Sequence, residues 1–195
     1  MESSGEMASL KDGKYMIGDG AELNWAGSKV AGGGHNGTIP VTSGSFTVTD
    51  GALSAGEFTI DMTGIKDLDL EDAEDNAKLV GHLKSDDFFN VEEYEQAMFE
   101  VTGAEPTAEA GATHTITGDM TIKGITNEIS FPATVSQEGD AVTTVASFNI
   151  DRTRWKVKFR SKAFPEFANV AADKIISDEI KIEFSLTGEM AAAEQ

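Results

Sequence analysis

Apolar residues recur at every second position through most of this chain, and no other feature restricts its fold so strongly. Tyr15 and Ile17, Ala21, Leu23 and Trp25, Phe46 and Val48, and Phe58, Ile60 and Met62 share this spacing. So do Phe99 and Val101, the stretch Ile116 to Ile122, Ile129 to Val135, Ala146, Phe148 and Ile150, and Ile180 to Leu186. Successive side chains of an extended strand point to opposite faces, so each run predicts a strand with one buried face. Trp155, Val157 and Phe159 extend the prediction to one further strand. Asp50-Gly51, Lys123-Gly124 and Glu138-Gly139-Asp140 stand between runs where hairpins turn.

One stretch departs from this period. Asp69 to Lys84 has no proline and no β-branched run, and it sets Leu79, Val80 and Leu83 on one face at helical spacing. An inserted helix is predicted there, with Asp69, Glu71 and Asp72 at its positive end and Lys84 near its negative end. The expected organisation is one domain over residues 14–190. The polar ends, residues 1–13 and 191–195, are expected to be mobile.

Composition excludes several functions. A net charge of -19, from 34 acidic and 15 basic residues, repels nucleic acid. The chain contains no cysteine, which removes disulfides, thiolate metal sites and thiol nucleophiles. No apolar run is long enough to cross a bilayer as a helix. Met1 to Met7 lacks the parts of a signal peptide, so an exported precursor would carry its signal outside this sequence.

The residues that resemble chemical motifs fit simpler roles. Gly32, Gly34 and Gly37 match a dinucleotide-binding spacing, but Thr38-Ile39-Pro40-Val41 follows where a helix would have to begin. Asp67, Asp69 and Glu71 begin like a calcium loop. Asp72 then occupies the glycine position and Lys78 the bidentate glutamate position, which favours a solvated acidic helix start. The three histidines, His35, His82 and His114, have no metal-ligand spacing. Ala52-Leu53-Ser54-Ala55-Gly56 has alanine where a nucleophile elbow needs glycine. No catalytic residue, cofactor or metal is expected.

Many short strands and one helix suit either a closed barrel or a sandwich, and periodicity leaves both open. Four segments point further. They are His82-Leu83-Lys84-Ser85-Asp86-Asp87-Phe88-Phe89-Asn90, Met98-Phe99-Glu100-Val101, Ile116 to Thr126, and Phe148-Asn149-Ile150-Asp151-Arg152. In content and order they resemble the YceI-like family of polyisoprenoid-binding, lipocalin-like proteins. The resemblance implies an all-β, eight-stranded antiparallel barrel with a helix inserted between strands. It also implies a polyisoprenoid or isoprenoid quinone along the barrel axis, and a periplasmic or extracellular location.

The expected function is therefore to bind, store or carry a long apolar lipid without catalysis. A barrel enzyme for a small hydrophobic substrate and a ligand-free structural module are the alternatives. The expected cavity wall is Trp25, Phe46, Phe58, Ile60, Phe88, Phe89, Phe99, Phe131, Phe148, Trp155 and Phe184. Arg152, with His35 and His82 behind it, is the expected donor set for a lipid headgroup, because a buried headgroup oxygen needs a partner. The other reading of Arg152 is an ion pair with Asp151 that fixes a turn. Transient membrane contact and a homodimer complete the expected partners.

Finally, Arg152, Arg154, Lys156, Lys158, Arg160 and Lys162 alternate. On an extended strand over 151–163 they would form one cationic face. That face would serve either to pair with Glu179 and Glu183 or to touch anionic headgroups.

Overall fold

The computed structural model describes residues 9–192. Its strands are β1 (Gly13–Ile17), β2 (Glu22–Ser28), β3 (Gly34–Thr49), β4 (Ala52–Asp61), β5 (Lys66–Asp67), β6 (Gln96–Pro106), β7 (His114–Ile122), β8 (Ile125–Glu138), β9 (Ala141–Asp151) and β10 (Glu179–Met190), with helix α1 (Ala73–Lys84) between β5 and β6. The antiparallel ladder runs β10, β2, β3, β4, β6, β7, β8 and β9, and β9 pairs back onto β10 from Ala141↔Glu189 to Asp151↔Glu179. This closes an eight-stranded barrel. β1 adds no ninth position, because it lies in line with β2, between β10 and β3, with Tyr15 opposite both Met190 and Phe46. The two-residue β5 lies off the ring, against β3.

The alternating residues build the interior as predicted. Leu23, Trp25, Ile60 and Ile122 are buried in one core layer and Tyr15, Phe46, Val48, Val101, Ile116 and Phe131 in the other. The hairpins are set by left-handed residue pairs, with Asp50 and Gly51 at φ 53° and 77°, and Lys123 and Gly124 at 52° and 71°. Two positive φ values in succession match the right-handed strand twist, which is why glycine completes each pair. Gly37 has a different reason: a Cβ there would sit 1.7 Å from the Lys66 carbonyl oxygen, so only glycine admits β5 against β3.

Three expectations need correction. The helix begins at Ala73, not Asp69, because Asp72 is its N-cap and accepts the Glu74 and Asp75 amides at 3.0 Å each. Upstream, Asp67 accepts the Leu70 amide and Asp69 the Asn36 amide. One bond within the segment and one to β3 hold the backbone out of the helix.

The predicted strand over 151–163 does not exist. Asp151 accepts both the Thr153 amide and its hydroxyl, which starts a 3-10 turn over Arg152–Trp155, and Lys156 follows in left-handed conformation at φ 57°. The turn carries Arg152 and Trp155 inward and Arg154 outward, so no single cationic face forms. Nor do Glu179 and Glu183 pair with it. Glu183 meets Lys181 at 2.6 Å, Glu179 accepts from Asn149, and Lys158 meets Glu166 at 3.4 Å.

The third correction concerns the ends. Residues 1–8 and 193–195 lie outside the described residues, so the expectation of mobility there has no structural counterpart. Residues 9–13 are docked: Leu10 is buried, Lys11 meets Asp140 at 2.6 Å, and Asp12 accepts the Asp50 and Gly51 amides. Ala191 likewise donates its amide to the Lys14 carbonyl.

Candidate functional site

The barrel has two unlike ends. One carries the short hairpins at Asp50 and Gly139. The other carries the two long connections, 62–95 with α1 and 152–178, beside the turn at Lys123. At this second end Leu83 of α1 is buried, and Leu79 and Val80 pack against the same core layer. Trp155 and Val157 come in from the 152–178 connection, both buried, and the Trp155 indole donates to the Met120 carbonyl at 2.9 Å.

Between the ends lies a cavity of about 200 Å³. Every expected wall residue lines it: Trp25, Phe46, Phe58, Ile60, Phe88, Phe89, Phe99, Phe131, Phe148, Trp155 and Phe184. The strand period explains Trp25, Phe46, Phe58, Ile60, Phe99, Phe131, Phe148 and Phe184, which occupy the inward phase of their strands, while Phe88, Phe89 and Trp155 enter from the two connections that cover one end. Phe131 and Phe148 stack with centroids 4.1 Å apart, Phe99 leans on Phe131 at 5.7 Å, and Phe184 meets Phe131 edge-on at 6.0 Å. These rings form an aromatic floor, offset and edge-on as ring quadrupoles prefer.

Sequence reasoning missed part of the wall. Ile39 and Val41 line the cavity from β3, and their alternation was present, but it lay beside Pro40 in a glycine-rich stretch. Ile65, Ile176 and Ser177 also line it from irregular backbone, where no period exists to find them.

Polar groups are few. Among the described lining residues only Thr144, Arg152 and Ser177 carry hydroxyl or charged side chains, and none is a carboxylate or histidine. Arg152 is 2% exposed, and its guanidinium is engaged by the protein itself. Nη1 donates to the Val157 carbonyl at 2.7 Å, Nε to Ser177 at 3.0 Å and Nη2 to Ile176 at 3.2 Å. Its nearest carboxylate is Asp178, at 3.7 Å, not Asp151. Burial pushes the Arg152 pKa down, opposed by Asp178 and Asp151, and the group stays charged.

The two histidines expected near a headgroup lie outside the cavity wall. His82 points its Nε2 at Asp87, 2.8 Å away, with its ring edge-on to Phe88 and Phe159. His35 meets Asp69 at 3.0 Å. Spacing along β3 and α1 could not reveal this, because both orientations depend on residues from other elements.

Antiparallel strands closed around an apolar cavity, and covered at one end by a helix and a long connection, define an eight-stranded barrel with an enclosed apolar interior. The sequence model of the YceI-like domain matches residues 20–188, and the chain belongs to the YceI-like family. It is 31% identical over 123 residues to a UPF0312 protein of Staphylococcus aureus, covering 60% of this chain and 64% of that one. A UPF0312 protein of Pseudomonas putida is 30% identical over 63% of this chain and 60% of its own length. The chain thus aligns with less than two thirds of either relative. Among solved structures, the fold is similar to BcnA of Burkholderia cenocepacia, with a TM-score of 0.65 and 22% identity over 86% of this chain and 95% of that one. It is also similar to a polyisoprenoid binding domain from Saccharophagus degradans, with a TM-score of 0.63 and 15% identity over 93% of this chain and all of that domain.

Proposed function

We propose that this protein binds, stores or carries one long apolar lipid, a polyisoprenoid or the tail of an isoprenoid quinone, within the barrel and without covalent chemistry. The observation that carries this reading is the wall itself, which is apolar and aromatic along its length with three polar side chains, all at single positions. Such a surface offers nothing to a polar substrate, but each methylene of a chain gains about 0.8 kcal/mol on burial. Ten methylenes would contribute about 8 kcal/mol, the scale of micromolar binding before ordering costs. An enzyme would need titratable groups converging on the cavity. A structural module would not need a cavity. The polyisoprenoid binding domain that shares this fold supports the lipid class.

Arg152 lines the cavity beside Ser177 at the end covered by α1, and this reading places the headgroup there. Its three carbonyl bonds leave two guanidinium N–H groups, one on Nη2, which lies 3.7 Å from the Asp178 carboxylate, and one on Nη1 for a headgroup oxygen. The 152–178 connection at this end carries seven basic residues against three acidic ones, with Arg154, Lys156 and Lys162 exposed, and on a chain of net charge -19 this segment suits contact with an anionic membrane surface during loading. A periplasmic or extracellular site of action, the location that the family resemblance implies, is compatible with that use.

Organic extraction of protein purified without detergent, followed by mass spectrometry, tests the function. The expected result is a polyprenyl or quinone species near one per chain. Protein that carries no lipid, and takes none up from polyprenyl-loaded vesicles, would overturn the reading.

A further inference from the structure

Outside the cavity, His35 meets two acidic side chains more than thirty residues further along the chain, at one corner of the barrel. His35 on β3, Asp67 on β5 and Asp69 before α1 bring a ring nitrogen and two carboxylate oxygens within 4.8 Å of one another. His35 Nδ1 lies 3.0 Å from Asp69 Oδ2, while Asp69 Oδ1 accepts the Asn36 amide at 2.9 Å.

Asp67 differs from a surface carboxylate. It is 6% exposed, and its Oδ1 accepts the Leu70 amide at 2.8 Å and Asn76 Nδ2 at 3.3 Å. Its Oδ2 is buried and has no hydrogen-bond partner among the described residues. A buried, unpartnered carboxylate oxygen is unfavourable unless a proton or a cation meets it. The expectation of a solvated acidic helix start therefore fails at this residue.

The two acids also respond differently to their shared corner. Burial pushes the Asp67 carboxyl up. At Asp69 burial acts in the same direction, but the Asn36 amide, Asp67 and His35 outweigh it and hold the carboxyl at about 2.

We infer that His35, Asp67 and Asp69 form a binding site for a divalent metal ion of the zinc class, which fastens the β5–α1 segment to the barrel. One imidazole and two carboxylates suit zinc and its neighbours better than magnesium or calcium, which prefer oxygen alone. Bonds of about 2.0–2.2 Å set tetrahedral donors roughly 3.3 Å apart, so the present spread closes by rotation of the solvent-reachable His35 and Asp69. Three protein ligands leave the fourth position to water.

The corner is tied to the helix as well. Asn76 of α1 donates to the Asp67 carbonyl at 3.0 Å and the Leu70 carbonyl at 3.1 Å, and α1 in turn places Leu83 in the cavity wall. A cation bridging β3 and β5 thus holds the covering helix in place, whatever the cavity contains.

The test titrates zinc into the full chain, stripped by chelator, using calorimetry near neutral pH, with amide exchange over β5 and α1 measured in both states. One zinc per chain is expected, with slower exchange in the bound state. His35→Ala and Asp69→Asn should each weaken binding at least about tenfold, since loss of a ligand exceeds loss of a residue that merely orients one. Asp67→Asn should abolish it, while the control His114→Ala leaves it unchanged. The site is refuted if zinc fails to bind stoichiometrically, or if His35→Ala and Asp69→Asn bind it as the parent does. Binding that leaves β5 and α1 exchange unaltered refutes the fastening role.

Discussion

Arg152 Nη1 donates to the Val157 carbonyl at 2.7 Å across a chain reversal, where the alternation of basic residues predicts a continuing strand. Together with the bonds to Ser177 and Ile176, one guanidinium joins the start of the 152–178 connection to its end. Removing it strands three carbonyls near a dry cavity. Arg152→Met is expected to cost about 3 kcal/mol in chemical denaturation, and Arg152→Lys to recover little, because an ammonium cannot reproduce the planar fork. A methionine variant as stable as the parent would remove the structural role.

Phe148 stacks on Phe131 in the cavity wall, so its replacement separates shape from polarity. Phe148→Leu should retain lipid near one per chain, with a modest loss of stability. Phe148→Asp should extract empty, since a carboxylate against an alkyl chain is desolvated at several kcal/mol. Circular dichroism of both variants checks that the barrel has formed. Full lipid occupancy in a folded aspartate variant would show that the occupant does not touch this ring.

Arg154, Lys156 and Lys162 are exposed on the connection that covers one barrel end. Reversing all three to glutamate should lower the melting temperature only modestly, through the lost bond from Arg154 to the Glu128 carbonyl and its lost place over the Trp155 ring, because exposed charges themselves contribute little to stability. Lipid transfer from anionic vesicles should become slower and lose its dependence on salt, as each basic residue near such a surface contributes about 1 kcal/mol. Transfer at the parent rate would end the membrane-docking reading without touching the cavity.

His114 supplies a pH dependence. Its burial pushes the pKa below the ordinary 6.5, so the unfolded chain takes up this proton first as pH falls. Stability from this group is complete above 6.5 and is lost as pH falls from 6.5 towards the lower folded value, after which it levels off. In thermal melts between about pH 7 and pH 5, His114→Gln should therefore show a shallower decline than the parent. Parallel curves would show that the imidazole is equally basic in both states.

The barrel wall was legible because a strand with one buried face leaves a period of two, and Phe46, Phe99, Phe131, Phe148 and Phe184 all obey it. The same rule misled at 151–163, where the alternation is as regular as anywhere. There the Asp151 carboxylate captured the Thr153 amide and hydroxyl and turned the chain. Two bonds to one local carboxylate outweighed thirteen residues of pattern, since a strand also needs a neighbour to pair with, and the sequence names none. Ile176 and Ser177 reach the cavity from irregular backbone, for which no spacing rule exists.

The strand runs, the hairpin turns and the inward set of aromatic strand residues were determined by the sequence itself, because each follows from alternation or from bonds between near neighbours. The pairing of β10 with β2 and the closure of β9 onto β10 were decided by tertiary structure, since the period of two suits a barrel and a sandwich equally. The cluster of His35 with Asp67 and Asp69, the capture of Arg152 by three carbonyls and the exclusion of His82 from the cavity were decided only by tertiary structure. Each joins residues from different elements. Their orientation depends on how closed strands approach one another in space, a quantity that no local pattern encodes.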